Sequence, residues 1–294
     1  MRASYLKTLV TGVAGFIGSH LAEKLLQMGY YVIGLDCFTP YYLRKYKEKN
    51  IADLKNKAGF ELVEKDIANM NLMSIVQEVD FIFHLAAQPG VRASWLDFEA
   101  YLRHNLHATH KLLEGCKKHP PKMLIFTSSS SIYGEAETYP TPEDIPPKPV
   151  SPYGVTKAAA ERLCQIYNKY YGIPIVILRY FTVYGPRQRP DMAMYRFIEN
   201  ILFNKEVSVY GDGNQARDFT YVSDIVGGTL KAMDTDLSGE TINLGGGNPK
   251  TVNDVLEIIA RHLPNKPRIR FEAAREGDVM KTAADIARAQ SLLN

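Results

Sequence analysis

"TLVTGVAGFIGSHLAEKLL", residues 8–26, reads as a β-rich apolar run, a glycine-studded turn and an amphipathic helix. Gly12, Gly15 and Gly18 are spaced GxxGxxG rather than GxGxxG, but the physical need is the same. One glycine makes the tight turn, a second lets backbone N–H groups approach a pyrophosphate, and a third lets helix pack on strand. Phe16 and Ile17 open the helix, whose positive N-terminus faces the anion. The next apolar run, "YVIGLD", ends on Asp36, where a carboxylate accepts hydrogen bonds from an adenosine ribose. An acid there repels a 2′-phosphate, which selects NAD over NADP.

The same alternation continues outward. "YYVIGLD" is followed by "LRKYKEKNIADLKNK", "FELVEKDI" by "MNLMSIVQEV", and "VDFIFHLAA" by "LRHNLHATHKLLEGCKKH". "PKMLIFTSSS" leads to "SPYGVTKAAAERLCQIYNKYYG", and "IPIVILRYF" closes the series. Strands alternating with helices predict an α/β fold, a Rossmann-type doubly wound parallel sheet, with ligands at the carboxyl ends of the strands. Residues 1–180 form the expected NAD-binding domain. From residue 181 to 294 the chain is richer in Gly, Pro and Arg, as a smaller C-terminal substrate-binding domain would be. "YVSDIVGGTLKAMD" and "ETINLGGG" (near 221–246) read as segments returning to the first domain. The charged run from Arg44 to Lys57 reads as a solvated helix face without chemistry.

The 294 residues are 46% hydrophobic and 23% charged, an ordinary globular composition, with a net charge of +3. That charge argues for neither nucleic acid nor a membrane surface. No apolar run is long enough to span a bilayer, and the N-terminus lacks the features of a signal peptide. Cys37, Cys116 and Cys164 are widely spaced, without CxxC, which suggests neither a zinc knuckle nor a disulfide framework. The expectation is a soluble cytoplasmic protein with reduced thiols and no metal. His104, His107 and His110 recur every three residues on one helix, but such steps rotate by about 60° each. With no nearby carboxylate expected to complete a site, they read as surface or packing histidines.

"SPYGVTK" supplies Tyr153 and Lys157 near a helix start, with Ser151 as N-cap and Pro152 at the first helical position. Positions i and i+4 share a face. A neighbouring ammonium and an oxidised nicotinamide both favour phenolate, giving a general base for removing an alcohol proton while hydride leaves.

GxxGxxG, Asp36, Asp66–Ile67, "LAA" at 85–87, the serine run, YxxxK and a long C-terminal region together resemble the extended short-chain dehydrogenase/reductases, specifically nucleotide-sugar epimerases. The resemblance spans essentially the whole chain. It implies a tightly held NAD, a UDP-sugar and a transient 4-keto intermediate. It further implies Asp66 and Ile67 at the adenine, and Leu85, Ala86 and Ala87 lining the cofactor. Asn105 braces the site, Ser128 holds the cofactor end of the strand, and Tyr180 and Val183 lie near the nicotinamide. Family members often dimerise through the helices that here include residues 100–117 and 153–171, so a homodimer is expected. Relatives of this kind usually run on past "AQSLLN".

Within "TSSSSIYG" (127–134), Ser129 matches the residue that bonds the reacting hydroxyl. Ser130 and Ser131 stand where related dehydratases carry an Asp–Glu pair; related decarboxylases carry a Glu at the position of Ser131. Hydroxyls hold a sugar substituent without supplying an acid, so the reaction is expected to stop at epimerisation. Arg217 and Arg275 match the diphosphate-binding arginines, Asp278 the residue at the uridine ribose, and Tyr210 lies beside the uracil. Thr182, Arg187, Arg189 and a small Thr282 resemble UDP-glucuronate 4-epimerases, with space and charge for a C5 carboxylate. The alternatives are a UDP-glucose or UDP-N-acetylglucosamine 4-epimerase and, in another class, a catalytically silent NAD-binding regulator. For the remaining arginines the expectation is surface charge.

Overall fold

The computed structural model describes residues 5–233, 236–275 and 277–293. All six expected strands form: β1 (Lys7–Thr11), β2 (Tyr31–Asp36), β3 (Phe60–Glu64), β4 (Phe81–His84), β5 (Met123–Ser129) and β6 (Ile175–Tyr180). Further along lie β7 (Thr182–Tyr184), β8 (Glu206–Tyr210), β9 (Ala216–Tyr221), β10 (Thr241–Leu244), β11 (Pro249–Thr251) and β12 (Arg268–Glu272). The main sheet runs in the order β10-β6-β5-β4-β1-β2-β3, with parallel pairing throughout. After β3 the chain returns to the other side of β1, so the carboxyl ends of β1 and β4 flank the crevice where such sheets bind ligands.

Burial follows the pattern of a sheet covered on both faces. Every residue of β4 and β6 is buried. One apolar cluster joins Leu21 and Leu25 of the first helix to Ile225, Val226 and Leu230 of the returning helix Val222–Lys231. The other lies under Leu112, Leu113 and Ala160 on the opposite face. A third, separate cluster (Phe197, Ile201, Val207, Val209, Val255, Leu256, Ile259) serves the later segment. There β7, β9 and β11 form a small sheet and β8 pairs with β12. Leu292 and Leu293 come back to pack on the first cluster, a return that the irregular tail did not announce.

Two helices depart from expectation. The helix through residues 98–116 is not uniform: Leu102–His107 is a π turn between Phe98–Tyr101 and Ala108–Cys116, a feature frequent at functional sites. The charged run also is not wholly a solvated face. Its helix covers only Arg44–Asn50, and Lys47 and Asn50 are buried on its inner side, because Asn50 donates to Ala14 O and Lys47 approaches Asp36. Among the described residues no helix is long and apolar enough to cross a membrane.

Candidate functional site

The cradle follows from backbone proximity. Gly12 has φ +72° and its N–H donates to Leu35 O at 2.7 Å, tying the turn to β2. A Cβ on Gly12 would lie 2.9 Å from Ala86 N, and one on Gly18 only 2.3 Å from Gly12 O. No side chain caps the helix at Gly15, which leaves its first N–H groups for an anion. Asp36 Oδ2 accepts from Ala14 N at 3.1 Å and Oδ1 from Phe38 N at 2.8 Å, with Lys47 Nζ 3.7 Å away. Gly12, Gly15, Phe16, Ile17, Gly18, Asp36, Asp66, Ile67, Leu85, Ala86 and Ala87 all line one groove. The buried Ser128 Oγ, in the same groove, has no partner among the described residues. A pyrophosphate-sized cradle, a ribose-ready carboxylate and an orphan hydroxyl fit a dinucleotide.

At the far end of the groove, Asp66 accepts from Ala68 N at 2.9 Å and pairs with Arg103 at 2.6 Å. The expectation that no carboxylate stands near the histidines does not hold. His104 lies 4.0 Å from Asp66, because the end of β3 folds against the helix, and His110 lies 3.9 Å from Glu114, one turn along its own helix. Cys37, Asp66 and His104 bring their ligand atoms within 4.8 Å of one another. Burial, followed by the charges of Asp36 and Asp66, pushes the Cys37 thiol up, while Arg103 already occupies the Asp66 carboxylate. That leaves a polar groove wall.

The π turn aims Asn105 inward. Its Oδ1 accepts from Gln88 N at 2.6 Å and its Nδ2 donates to Thr156 Oγ1 at 3.0 Å, bracing the strand-end loop against the next helix. That helix, Pro152–Tyr171, starts as expected: Ser151 Oγ accepts from Gly154 N at 3.1 Å. Tyr153 and Lys157 both face the groove with Ser129, Ser130, Ser131, Tyr180, Thr182, Val183 and Arg189. Burial raises the Tyr153 pKa, while a hydrogen bond from Ser129 and the charge of Arg189 oppose the rise. Burial lowers that of Lys157 to about 8, opposed by Glu161, and its ammonium donates to Thr127 O. The charge of Arg189 thus works against burial at the phenol, while the Lys157 ammonium is bonded to the strand at Thr127. Ser129 Oγ also accepts from Ser131 N at 3.1 Å, which turns the serine row into a short 3-10 helix.

Tyr210, Arg217, Arg275 and Asp278 form a second grouping. Arg275 stacks 3.6 Å from the Tyr210 ring centroid and bonds its hydroxyl. Arg92 covers the ring at 4.4 Å and pairs with Asp278 at 2.7 Å. Burial lowers the pKa of Arg217, opposed by Asp278 and Glu135. Thr282 sits beside this grouping, its hydroxyl accepting from Asp218 N at 3.2 Å, and is not among the groove residues.

Arg187 is a correction. Its guanidinium pairs with Glu23 at 2.9 Å and reaches Ser19, fastening its segment to the cradle helix instead of facing the groove; its backbone has φ +64°. His20 bonds Pro186 O at 2.9 Å in the same strap. Arg92 is not plain surface charge, and neither is Arg179. Arg179 is 4% exposed, bonded to Glu161 at 2.9 and 3.1 Å and to Tyr133 Oη at 2.7 Å. Tyr41, Tyr42, Lys47 and Met192 also line the groove; they lie in irregular or charged stretches that carry no periodic or motif signal.

Residues 8–245 match the family described as "NAD dependent epimerase/dehydratase family". A Bacillus subtilis (strain 168) protein called "Uncharacterized UDP-glucose epimerase YtcB" is 45% identical, covering 98% of this chain and 92% of its own. A UDP-glucuronate 4-epimerase of Thermodesulfobacterium geofontis (strain OPF15) is 42% identical over 97% of this chain and 90% of its own. The crystal structure of UDP-glucuronic acid 4-epimerase from Bacillus cereus, in complex with UDP-glucuronic acid and NAD, superposes with a TM-score of 0.95. It is 44% identical, covering 98% of this chain and 93% of that one. With matches of this extent, the chain belongs to the NAD-dependent epimerase/dehydratase family.

Proposed function

We propose that the protein is an NAD-dependent UDP-sugar 4-epimerase whose preferred pair is UDP-glucuronate and UDP-galacturonate. One observation carries the reading. Around Tyr153 the groove is walled by Ser129, Ser130, Ser131, Thr182 and Arg189, and among the described lining residues at that end none is a carboxylate. The relatives bearing the name UDP-glucuronate 4-epimerase support the same choice.

The glycine cradle, Asp36, Asp66 and Ser128 would hold NAD, which when bound supplies the acceptor and donor of the C4 hydride. Tyr153, as phenolate, takes the proton of the 4-hydroxyl and returns it after the keto-sugar has turned. Ser129 holds both that phenol and the reacting hydroxyl. Arg217 and Arg275 grip the diphosphate with planar guanidinium forks, Tyr210 packs beside the uracil and Asp278 meets the ribose. A 4-keto uronate is a β-keto acid and loses CO₂ when its carboxylate aligns with the ketone. Ser130, Ser131, Thr182 and Arg189 hold that carboxylate without donating a carboxylic proton.

The division into 1–180 and 181–294, with its returning segments, belongs to this reading, as does a cytoplasmic homodimer. Support for the dimer is the apolar-floored groove between the helices at 98–116 and 152–171, lined by Leu102, Leu106, Ala159 and Leu163. Incubation of the NAD-loaded protein with UDP-glucuronate, UDP-glucose and UDP-N-acetylglucosamine, with products separated and weighed by mass spectrometry, tests the function. The expected outcome is UDP-galacturonate with almost no UDP-pentose; UDP-xylose as the main product would make the protein a decarboxylase.

A further inference from the structure

Arg189 lies at the rim of the groove, its side chain 21% exposed, and is not alone there. Its Nε donates to Asp191 Oδ1 at 3.0 Å and its Nη2 to Oδ2 at 3.1 Å. A guanidinium has two edges for a bidentate partner, Nε with Nη2 and Nη1 with Nη2. Asp191 takes the first, and among the described residues no acceptor is recorded on Nη1. Asp191 is itself held: Tyr41 Oη donates to its Oδ2 at 3.2 Å. The Tyr41 phenol in turn rests against the backbone of Gly90, where an added Cβ would strike the hydroxyl oxygen at 2.1 Å. A chain of contacts therefore runs from the loop after β4, through the loop after β2, to the guanidinium edge.

We propose that Asp191, held by Tyr41, is a specificity-determining positioning residue, fixing Arg189 by one edge so that the other stays available to an anionic substituent of the sugar. This rests on the uronate reading of the site. A free arginine side chain loses considerable rotamer entropy when it is ordered on a ligand; one already ordered by Asp191 has met that cost in the folded protein. The pairing also keeps Arg189 from facing a neutral hexose as an uncompensated charge.

The test compares KM for UDP-glucuronate with KM for UDP-glucose in wild type, Asp191→Ala, Tyr41→Phe, Arg189→Ala and the double variant Arg189→Ala/Asp191→Ala. Affinity for UDP alone reports the integrity of the uridine end. Asp191→Ala is expected to raise the uronate-to-glucose KM ratio about tenfold, the scale of one hydrogen bond to a charged group. Tyr41→Phe should move the ratio the same way and less. In the Arg189→Ala background the Asp191 substitution should add nothing, the mark of a residue acting through another. A ratio that Asp191→Ala leaves unchanged, or moves in favour of the uronate, overturns the positioning role; the latter would make Asp191 a competitor for the guanidinium. If Arg189→Ala itself leaves the ratio untouched, the uronate reading and the positioning role fall together.

Discussion

The ammonium of Lys157 donates to the carbonyl oxygen of Thr127, two residues before Ser129 on the same strand. One contact thus locks the helix bearing the phenol to the strand bearing the serines. Lys157 thereby ties Tyr153 to the serine row, and in the proposed reaction Tyr153 is the base. Tyr153→Phe should keep the fold and bound NAD yet lose turnover by several orders of magnitude. Steady-state rates beside the near-ultraviolet absorbance of retained cofactor check this; half of wild-type activity would remove Tyr153 from the role of base.

Ser129→Ala should shift the pH profile. The Ser129 hydrogen bond acts to lower the Tyr153 pKa against its burial, so removing it leaves the phenol harder to ionise. Less phenolate is then present at any given pH, and the acid limb of kcat/KM moves to higher pH. A profile whose acid limb stays in place, or moves downward, would separate Ser129 from the phenol.

Cofactor choice turns on Asp36 and its buried neighbour. Lys47 stands 3.7 Å away, whereas Arg44 is spent on Glu48 and Glu64. Cofactor-free protein should bind NAD at least an order of magnitude more tightly than NADP, because a 2′-phosphate meets the Asp36 carboxylate at close range. Equal affinity in a titration would show that Lys47 outweighs the aspartate. Lys47→Ala should then restore the preference.

Arg189→Ala should weaken UDP-glucuronate binding by about 1.5–3 kcal/mol, the scale of a hydrogen bond to a charged group, and UDP-glucose much less. Calorimetric titration with both sugars measures it. Equal losses would move the residue from carboxylate recognition to scaffolding.

The Arg179–Glu161 pair offers a stability test. Both side chains are nearly inaccessible, at 4% and 3% exposure, and Arg179 also donates to Tyr133 and to Glu143 O. Glu161→Ala strands a buried guanidinium and should cost about 3–5 kcal/mol, read from the midpoint of denaturant unfolding. A loss under a tenth of that would mean water reaches the site.

The strands and the cradle were legible because period and glycine spacing are local. β6, "IVILRY", is apolar enough to be recognised although its penultimate residue is the buried Arg179. Tyr153, Lys157 and Ser129 were legible for the same reason, each lying in a short motif at a strand end or helix start. What stayed hidden depends on distant partners. Arg92 and Tyr210 meet from positions far apart in the chain, and nothing near "GVRAS" signals an aromatic partner. Arg187 and Arg189 look alike in "GPRQRPD", yet Arg187 pairs with Glu23 on the cradle helix while Arg189 stays at the groove. Lys47 looked solvated because a helix of charges gives no hint which face meets Asp36.

The strap formed by residues 186–191 has a thermodynamic consequence. Through His20 and Glu23 it is fastened to the helix that begins at the glycine cradle, and through Arg189 it forms part of the groove wall near Tyr153. One short piece of backbone therefore joins the two ends of the groove, and through it occupancy at one end is expected to be felt at the other. Linkage requires the exchange to be reciprocal: whatever factor a UDP-sugar lends to NAD retention, NAD lends back to the UDP-sugar. NAD release should accordingly slow when the sugar site is filled and quicken in Glu23→Gln, where the fastening is cut. Release rates indifferent to both would mean that the strap and the cradle act as independent parts.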